Sequence, residues 1–354
     1  MRVLFLTRYT ATGPSSRYRV VQFLPFLERA GIAWEMHPLV DDRYLDARFA
    51  GRSADPWYLA GRALRRAATL GRAKRFDVVF VQKELFPGAP ALAERLLSCA
   101  RARVILDVDD AIHLPYRGRR MLEHKIPRAM ASATAVLAGN RWLADYARAF
   151  NARTLLFPTV VDAARFTPAA TTARREKPVV GWIGSPETAR YLPGVHAALA
   201  RVHARVPFEL RLVGAAPAPV PGLEVTSRPW SLATEADELR EFDVGIMPLP
   251  DDEWARGKCS LKLLQYMSAG LATVSSPRGS VEEIVRDGET GFVARGDGEW
   301  ERHLAGLLTD ATARARMGER ARAWLVRNYS LEAYGPRFVS VLRAVAGGKD
   351  PRDV

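Results

Sequence analysis

Lys258, Lys262 and Gln265 fall within the stretch GKCSLKLLQYMSAG. Wound as an α-helix at ~100° per residue, they share with Ala269 a stripe ~60° wide. Leu261, Leu263, Leu264 and Met267 point to other sides. Two cations and an amide in register suit an anionic ligand that also carries hydroxyls. Ammonium groups neutralise phosphate, and an amide both accepts and donates hydrogen bonds. The competing reading is a solvated lysine pair on a surface helix. Against it, the chain has seven lysines and 45 arginines, so two lysines on one stripe are not what its composition supplies.

Other groups gather just past strand-like runs. LDVDDAIH places Asp109 and Asp110 after a strand, with His113 close behind. A carboxylate there can accept a proton or a hydrogen bond from a substrate hydroxyl. FVQKELFPG places Lys83 and Glu84 after another strand, where a buried Lys–Glu pair is the plainer alternative. The Gly/Ser loop GPSSRYR offers Ser15, Ser16 and Arg17 to an anion, and Ser15 or Ser16 equally suits a helix N-cap. Arg19 reads as solvent-facing. Asn140 in LAGNRW is either a cap or a substrate contact, and Glu282 and Glu283 open a helix whose dipole they complement. Asp107-Val-Asp109 spells a D-x-D, which can hold a divalent cation, but Asp107 falls inside the strand.

Composition sets outer bounds. The chain has 354 residues, 48% hydrophobic, enough for two or three domains with proper cores. The net charge of +13 reflects arginine-rich usage as much as function. As function it favours anions: nucleotide phosphates or an anionic membrane surface. Nucleic acid is not expected, because no zinc-finger spacing or aromatic ribonucleoprotein motif occurs. Two cysteines make no disulfide framework, and no apolar run approaches ~18 residues, so a cytoplasmic protein is expected. There is no G-x-G-x-x-G, no Walker A and no G-x-S-x-G.

The elements that must position these groups alternate strand and helix. RVLFLT, IAWEMHPL, FDVVFVQ, RVILDV, TAVLAG and TLLFPTV read as strands. Helical stretches are expected at 17–30, 56–74, 89–100 and over WLADYARAF. Pro, Thr and charges without periodicity mark a linker, and the rhythm restarts with VVGWIG, FELRLVG, LEVTS, VGIMPL and LATVSS. Helices are expected at 190–205, over LATEADELREF and SVEEIVRDG, from Glu299, at 310–328 and from Leu331 to about Ala346. This βαβ alternation predicts parallel sheets covered by helices, with ligands outside the carboxyl ends of the strands.

The block QYMSAGL, SSPRGSVEEIV, DGETGFV resembles, in order and spacing, the retaining GT-B glycosyltransferases of family 4 (glycosyl transferases group 1). That family has a helix of the form E-x-M-x-x-G, a strand, a Gly turn and E-I-V-x-x-G-x-x-G. The resemblance implies an α/β GT-B fold: two facing Rossmann-like domains with a central cleft, and a C-terminal helix returning to the N-domain. The implied boundaries are an acceptor domain at 1–165, a linker at 166–178, a nucleotide-sugar domain at 179–330 and the returning helix at 331–347. Family members carry two glutamates eight residues apart, the later on the donor ribose and the earlier on the donor sugar. Here these positions are Gln265 and Gly257, and Gly257 has no side chain to offer. The family's paired diphosphate cations fall on Ser185 and Arg190, after Gly184, so one of the two is replaced.

The resemblance therefore implies a hexosyltransferase-like enzyme that moves a sugar from a UDP-, GDP- or dTDP-linked donor to a glycan or lipid-linked acceptor. Bacterial surface polysaccharide or glycoconjugate synthesis is the expected setting. Lys258 and Lys262 stand in for the missing cation, and Gln265 for the ribose ligand. Ser15, Ser16, Arg17, Gly184, Ser185, Arg190, Glu282 and Glu283 complete the expected donor contacts. Asp109, Asp110 and Lys262 are the expected catalytic groups; Lys83, Glu84, His113 and Asn140 lie on the acceptor side. No cofactor or metal is expected, and the expected place is the cytoplasm, peripheral on the inner face of the plasma membrane. A GT-B epimerase or hydrolase, or a nucleotide-sugar-binding protein without transfer, stays open because of Gly257.

Overall fold

Six short apolar runs build the first sheet in the computed structural model, which describes residues 1–99, 102–169, 176–216 and 220–353. They are β1 (Arg2–Leu6), β2 (Ala33–Met36), β3 (Val78–Gln82), β4 (Val104–Val108), β5 (Ala135–Ala138) and β6 (Thr154–Leu156). All pair in parallel, in the order β2-β1-β3-β4-β5-β6. β1, β3, β4 and β5 have both faces covered, which is why they read as continuous apolar runs without alternation. The strand order reverses between β1 and β3, so the loops that follow them frame the crevice of this sheet.

A second parallel sheet contains β7 (Val179–Ile183), β8 (Glu209–Val213), β9 (Val225–Arg228), β10 (Val244–Met247), β11 (Ala272–Ser275) and β12 (Phe292–Val293). Its order is β12-β11-β10-β7-β8-β9, with the reversal between β7 and β10. The chain thus forms two compact units. One holds Met1–Thr159, Gly257–Cys259 and Tyr334–Val354; the other holds Val160–Arg256 and Ser260–Ala333. Of the expected linker, residues 170–175 lie outside the described residues. Its first residue, Phe166, is buried in the second unit, where its carbonyl accepts from Ser268 Oγ at 3.0 Å and Arg322 Nη1 at 2.7 Å.

The helix Leu331–Ala346 has the bounds the sequence suggests, and from Tyr334 it belongs to the first unit. Phe338 is fully buried there among Phe5, Phe23, Phe80 and Phe157, with ring centroids 4.6–6.3 Å away. Such a cluster is worth ~3–5 kcal/mol per ring on truncation.

Several expected helices differ: the span 190–205 is a 3-10 turn Leu192–Val195 followed by a helix His196–His203, and of SVEEIVRDG only Val281–Ile284 is helical. The span 17–30 breaks into Pro14–Arg19, a 3-10 turn Val21–Phe23 and Leu24–Arg29. Pro25 has no N–H, and its ring excludes the carbonyl of Val21 from an α-helical position. The helix expected over 257–270 starts only at Leu261, because Ser260 adopts a left-handed φ of 52°. Lys258 is therefore not on that helix, and the four-residue stripe does not form. Helices at Asp42–Phe49 and Lys125–Ser132 were not evident from apolar periodicity.

Candidate functional site

In the second unit, the helix Leu261–Ser268 buries Leu263, Leu264, Tyr266 and Met267. Tyr266 ties the helix to the point where the strand order reverses. Its hydroxyl accepts from Ile183 N at the end of β7 (3.0 Å) and donates to Ile246 O on β10 (3.4 Å). Burial pushes that phenol well above its ordinary range, so it stays a neutral donor. The helix thereby sets Lys262 against the carboxyl end of β7. The Lys262 ammonium donates to Thr188 Oγ1 at 3.0 Å and lies 4.8 Å above the Trp182 ring. Gly184 makes room for it: a Cβ there would sit 2.7 Å from Lys262 Nζ and 2.8 Å from Trp182. Gln265, expected on an open face, is buried, as is Ala269.

A cavity of about 350 Å³ opens beyond the carboxyl ends of β10, β11 and β12. Its walls include Pro248–Asp251, Ser276–Arg278 and Ala294–Asp297, the segments directly after those strands, together with Arg190 and Tyr191. The volume is in the range of small-ligand sites. Its charged lining is Arg190, Arg278 and Arg295 against Asp251 and Asp297, a small basic excess. Arg190 stacks on Tyr191 at 5.1 Å and bonds its hydroxyl at 3.1 Å, a posture that leaves the guanidinium exposed. Arg278 pairs with Asp251 at 2.5 Å and Arg295 with Glu282 at 3.3 Å. Glu282 thus orients a cavity arginine, and the Glu283 carbonyl accepts from Tyr329 at 2.8 Å. Ser185 starts the short helix Pro186–Ala189 without a side-chain cap, and its carbonyl accepts from Thr188 Oγ1 at 3.0 Å. Arg278, Arg295, Thr188, Trp182 and Tyr191 were missed in sequence; only their places after strand ends, or for Trp182 near the end of β7, could have flagged them.

The first unit gathers a different set at its own point of strand reversal. Gln82, the last residue of β3, is fully buried. Its Oε1 accepts from Ser16 Oγ (2.7 Å) and Arg8 N (3.0 Å), and its Nε2 donates to Ser15 Oγ (2.9 Å). Ser15 in turn donates to Asp109. Neither serine caps the helix Pro14–Arg19, whose N-cap is Gly13. Ser16 is held wholly within the protein. Arg17 is mostly buried, bonds the Thr12 carbonyl at 3.2 Å and stacks on Tyr18. Arg19 does not reach solvent. It forms a buried ion pair with Asp107 and donates to Phe157 O at 2.8 Å. Asp107 lies inside β4 and is committed to Arg19, so the D-x-D spelling does not yield two open carboxylates. Among the described residues no group of three or more His, Cys, Asp or Glu is placed to hold a metal ion.

Lys83 does not pair with Glu84. Its ammonium bridges Asp109 (3.1 Å) and Asp110 (2.8 Å), and Asp110 also takes Lys258 at 2.9 Å. Burial disfavours the Asp110 carboxylate, but Lys83 and Lys258 outweigh it and hold Asp110 well below the usual carboxylate range. Burial likewise opposes the Lys83 charge, and Asp109 and Asp110 overcome it, so Lys83 sits above its ordinary range. A carboxylate held so far down accepts hydrogen bonds but is a poor proton acceptor at neutral pH. Glu84 pairs instead with Lys125 at 2.5 Å and accepts from Tyr116 at 2.7 Å. His113 is buried in an aromatic stack with Tyr146, 3.9 Å between centroids. Asn140 caps the helix Arg141–Arg148 through Leu143 N at 2.8 Å, and its amide donates to Lys258 O at 3.1 Å. Lys83 and Ser260, with φ of 64° and 52°, are the only non-glycine residues of positive φ among the described residues. Each such conformation costs on the order of 1 kcal/mol and persists where the surroundings fix it.

Residues 177–310 match the family model of glycosyl transferases group 1. Among solved structures, the chain is similar to a glycosyltransferase from Rickettsia africae ESF-5 (12% identity, TM-score 0.70, 97% of this chain and 98% of that one). It is similar to Anabaena Alr3699/HepE in complex with UDP and glucose (14%, TM-score 0.71, 97% and 100%). It also resembles sucrose-phosphate synthase from Thermosynechococcus elongatus (14%, TM-score 0.69, 98% and 100%). No curated protein matches it. The fold is thus α/β of the GT-B class, built from two Rossmann-like domains. The segment that matches the group 1 model contains β7 to β12, the basic cavity and Lys262.

Proposed function

We propose that the protein is a retaining, family 4 glycosyltransferase that takes a sugar from a nucleotide-diphosphate donor. The observation that carries this reading is the arginine-lined cavity at the carboxyl ends of β10–β12, inside the segment similar to glycosyl transferases group 1. The donor nucleotide occupies that cavity, and its diphosphate lies against Arg190 and Lys262, with the Gly184–Ser185 backbone beside it. As the bond to the sugar breaks, charge develops on the leaving diphosphate. Fixed cations stabilise that charge most where water is excluded, so no metal is needed. The complexes of Anabaena HepE with UDP and with UDP-glucose support a uridine nucleotide as the first donor to try.

On the first unit, Asp109 orients the acceptor hydroxyl; the Lys83 ammonium and the Ser15 hydroxyl hold Asp109, and Asp110, paired with Lys258, holds Lys83. The acceptor is a glycan or lipid-linked sugar of bacterial surface polysaccharide or glycoconjugate synthesis, met at the inner face of the plasma membrane. The experiment is product analysis with UDP-, GDP- and dTDP-sugars, with and without a lipid-linked acceptor and EDTA. A transferred sugar with unchanged anomeric configuration in EDTA is expected. Free sugar or an epimer from donor alone would replace transfer by hydrolysis or epimerisation.

A further inference from the structure

The helix Pro56–Leu70 is amphipathic the wrong way round for a soluble surface. At ~100° per residue, Trp57, Ala60, Leu64, Ala67 and Ala68 share one side ~100° wide. That side is the outward one: Trp57 is 84% exposed and Leu64 71%. Apart from the exposed Arg65, the polar residues point inward. Arg66 is buried and donates to Thr7 O (2.6 Å) and His37 O (2.9 Å). Arg62 donates to Leu39 O (2.8 Å) and Pro38 O (2.9 Å), and Tyr58 donates to Asp41 at 2.7 Å. These carbonyls follow β1 and β2, so the arginines fasten the helix at the carboxyl end of the first sheet by saturating strand-end acceptors. Asp55 caps the helix through Trp57 N at 3.0 Å and Pro56 takes the first position, so it is a built element, not a frayed tail.

An exposed apolar helix face marks an interaction surface, and charge selects the occupant. From residue 56 to 76 there are six basic residues and no acidic one. Arg65, Lys74 and Arg75 are exposed around the apolar face. A second copy of the chain would bring like charges together. A bilayer with anionic headgroups accepts both features: Trp and Leu enter the interface while the basic flank meets the headgroups. The helix has fifteen residues, and among the described residues no helix is long and apolar enough to cross a membrane, so the fitting geometry is a helix lying in the plane of the surface.

We propose that the Trp57–Leu64 face of this helix docks the protein onto an anionic lipid bilayer. The inference stands on this helix and needs no assumption about the reaction. Docking turns the carboxyl end of the first sheet, where Ser15, Asp109 and Lys83 gather, toward the lipid.

The test is co-sedimentation of the full chain with phosphatidylcholine vesicles, with and without phosphatidylglycerol. Trp57→Glu, Leu64→Glu and Arg65→Glu are compared with wild type, and circular dichroism and melting midpoints verify folding. Wild type should sediment with the anionic vesicles, with binding weakened by salt. Each variant should lose at least about tenfold in affinity with an unchanged midpoint. Absence of wild-type binding, or equal binding by well-folded variants, would overturn the proposal. So would a concentration-dependent dimer that Leu64→Glu dissociates, which would assign the face to a second copy. Nucleotide-induced thermal shifts, read on the same samples, separate failure of docking from failure of the transferase reading.

Discussion

Gly257 rests directly on Ala111: a Cβ at position 257 would come within 2.7 Å of both the Ala111 Cβ and its backbone nitrogen. This contact gives a physical reason for the missing glutamate at that position, since no side chain fits. The segment Gly257–Cys259 is fixed on the first unit by the Lys258–Asp110 pair and by Cys259 Sγ, which donates to Asp109 O at 3.2 Å.

Gly257→Ala should therefore destabilise the protein by ~1–3 kcal/mol, the cost of overpacking a close contact. Gly257→Glu should cost more and gain no activity. Denaturant titration of both variants measures this; a Gly257→Glu protein of native stability and higher turnover would show that the position is open.

Asp110 makes stability depend on acid. Its folded pKa lies below its unfolded value near 4, so its contribution is complete above about pH 4 and disappears as pH falls through the folded value. Asp110→Asn should lower stability at pH 7 by ~1–3 kcal/mol, because two lysines lose a partner in a partly exposed site. It should also flatten the decline below about pH 4. For Lys83 the sign is reversed: its contribution is complete below about pH 10 and is lost only as pH rises through its higher folded value. Melting midpoints from pH 2 to pH 11 read the onset of both limbs. An unchanged acid limb in Asp110→Asn would remove the ion-pair account.

Lys262 and Gly184 act as one feature. Lys262→Ala should reduce turnover about 100-fold or more, the scale of losing a fixed charge donor to the leaving group. Gly184→Ala displaces the lysine and should weaken nucleotide binding in the same direction. The double variant should be little worse than Lys262→Ala alone, because the two changes are coupled. Fully additive losses would mean that Gly184 matters for a reason other than making room for Lys262.

The buried Arg19–Asp107 pair is structural. Arg19→Met should cost ~3–5 kcal/mol by leaving a buried carboxylate without its cation, whereas removing both charges by Arg19→Met with Asp107→Leu should recover part of it. Chemical denaturation decides between them; a silent Arg19→Met would mean that the pair adds nothing.

Much of the fold was legible because buried parallel strands are short apolar runs, such as VVFVQ and VVGWI, and βαβ connections leave few topologies. The last helix was legible to within about a residue, since Leu331, Phe338, Val341 and Val345 keep one periodicity. The site was only half legible. Position after a strand end identified Asp109, Lys83, Gly184 and Arg190. Partners did not follow, because Glu84–Lys125 and Arg19–Asp107 are 41 and 88 residues apart in sequence. The stripe failed at one left-handed residue, Ser260, which periodicity cannot register. Helix 56–70 misleads in the opposite sense: its pattern is amphipathic, but arginines that satisfy strand-end carbonyls occupy the inner side.

Nucleotide binding tests the central claim most directly. The melting midpoint of wild type and Lys262→Ala is followed with UDP, GDP and dTDP. A glycosyltransferase of this design predicts that one nucleoside diphosphate stabilises wild type, by ~2.7 kcal/mol at about 100 times its Kd. Lys262→Ala should lose most of that shift. If no nucleoside diphosphate moves the wild-type midpoint, or if the variant responds equally, the donor site is not where the arginines and Lys262 place it.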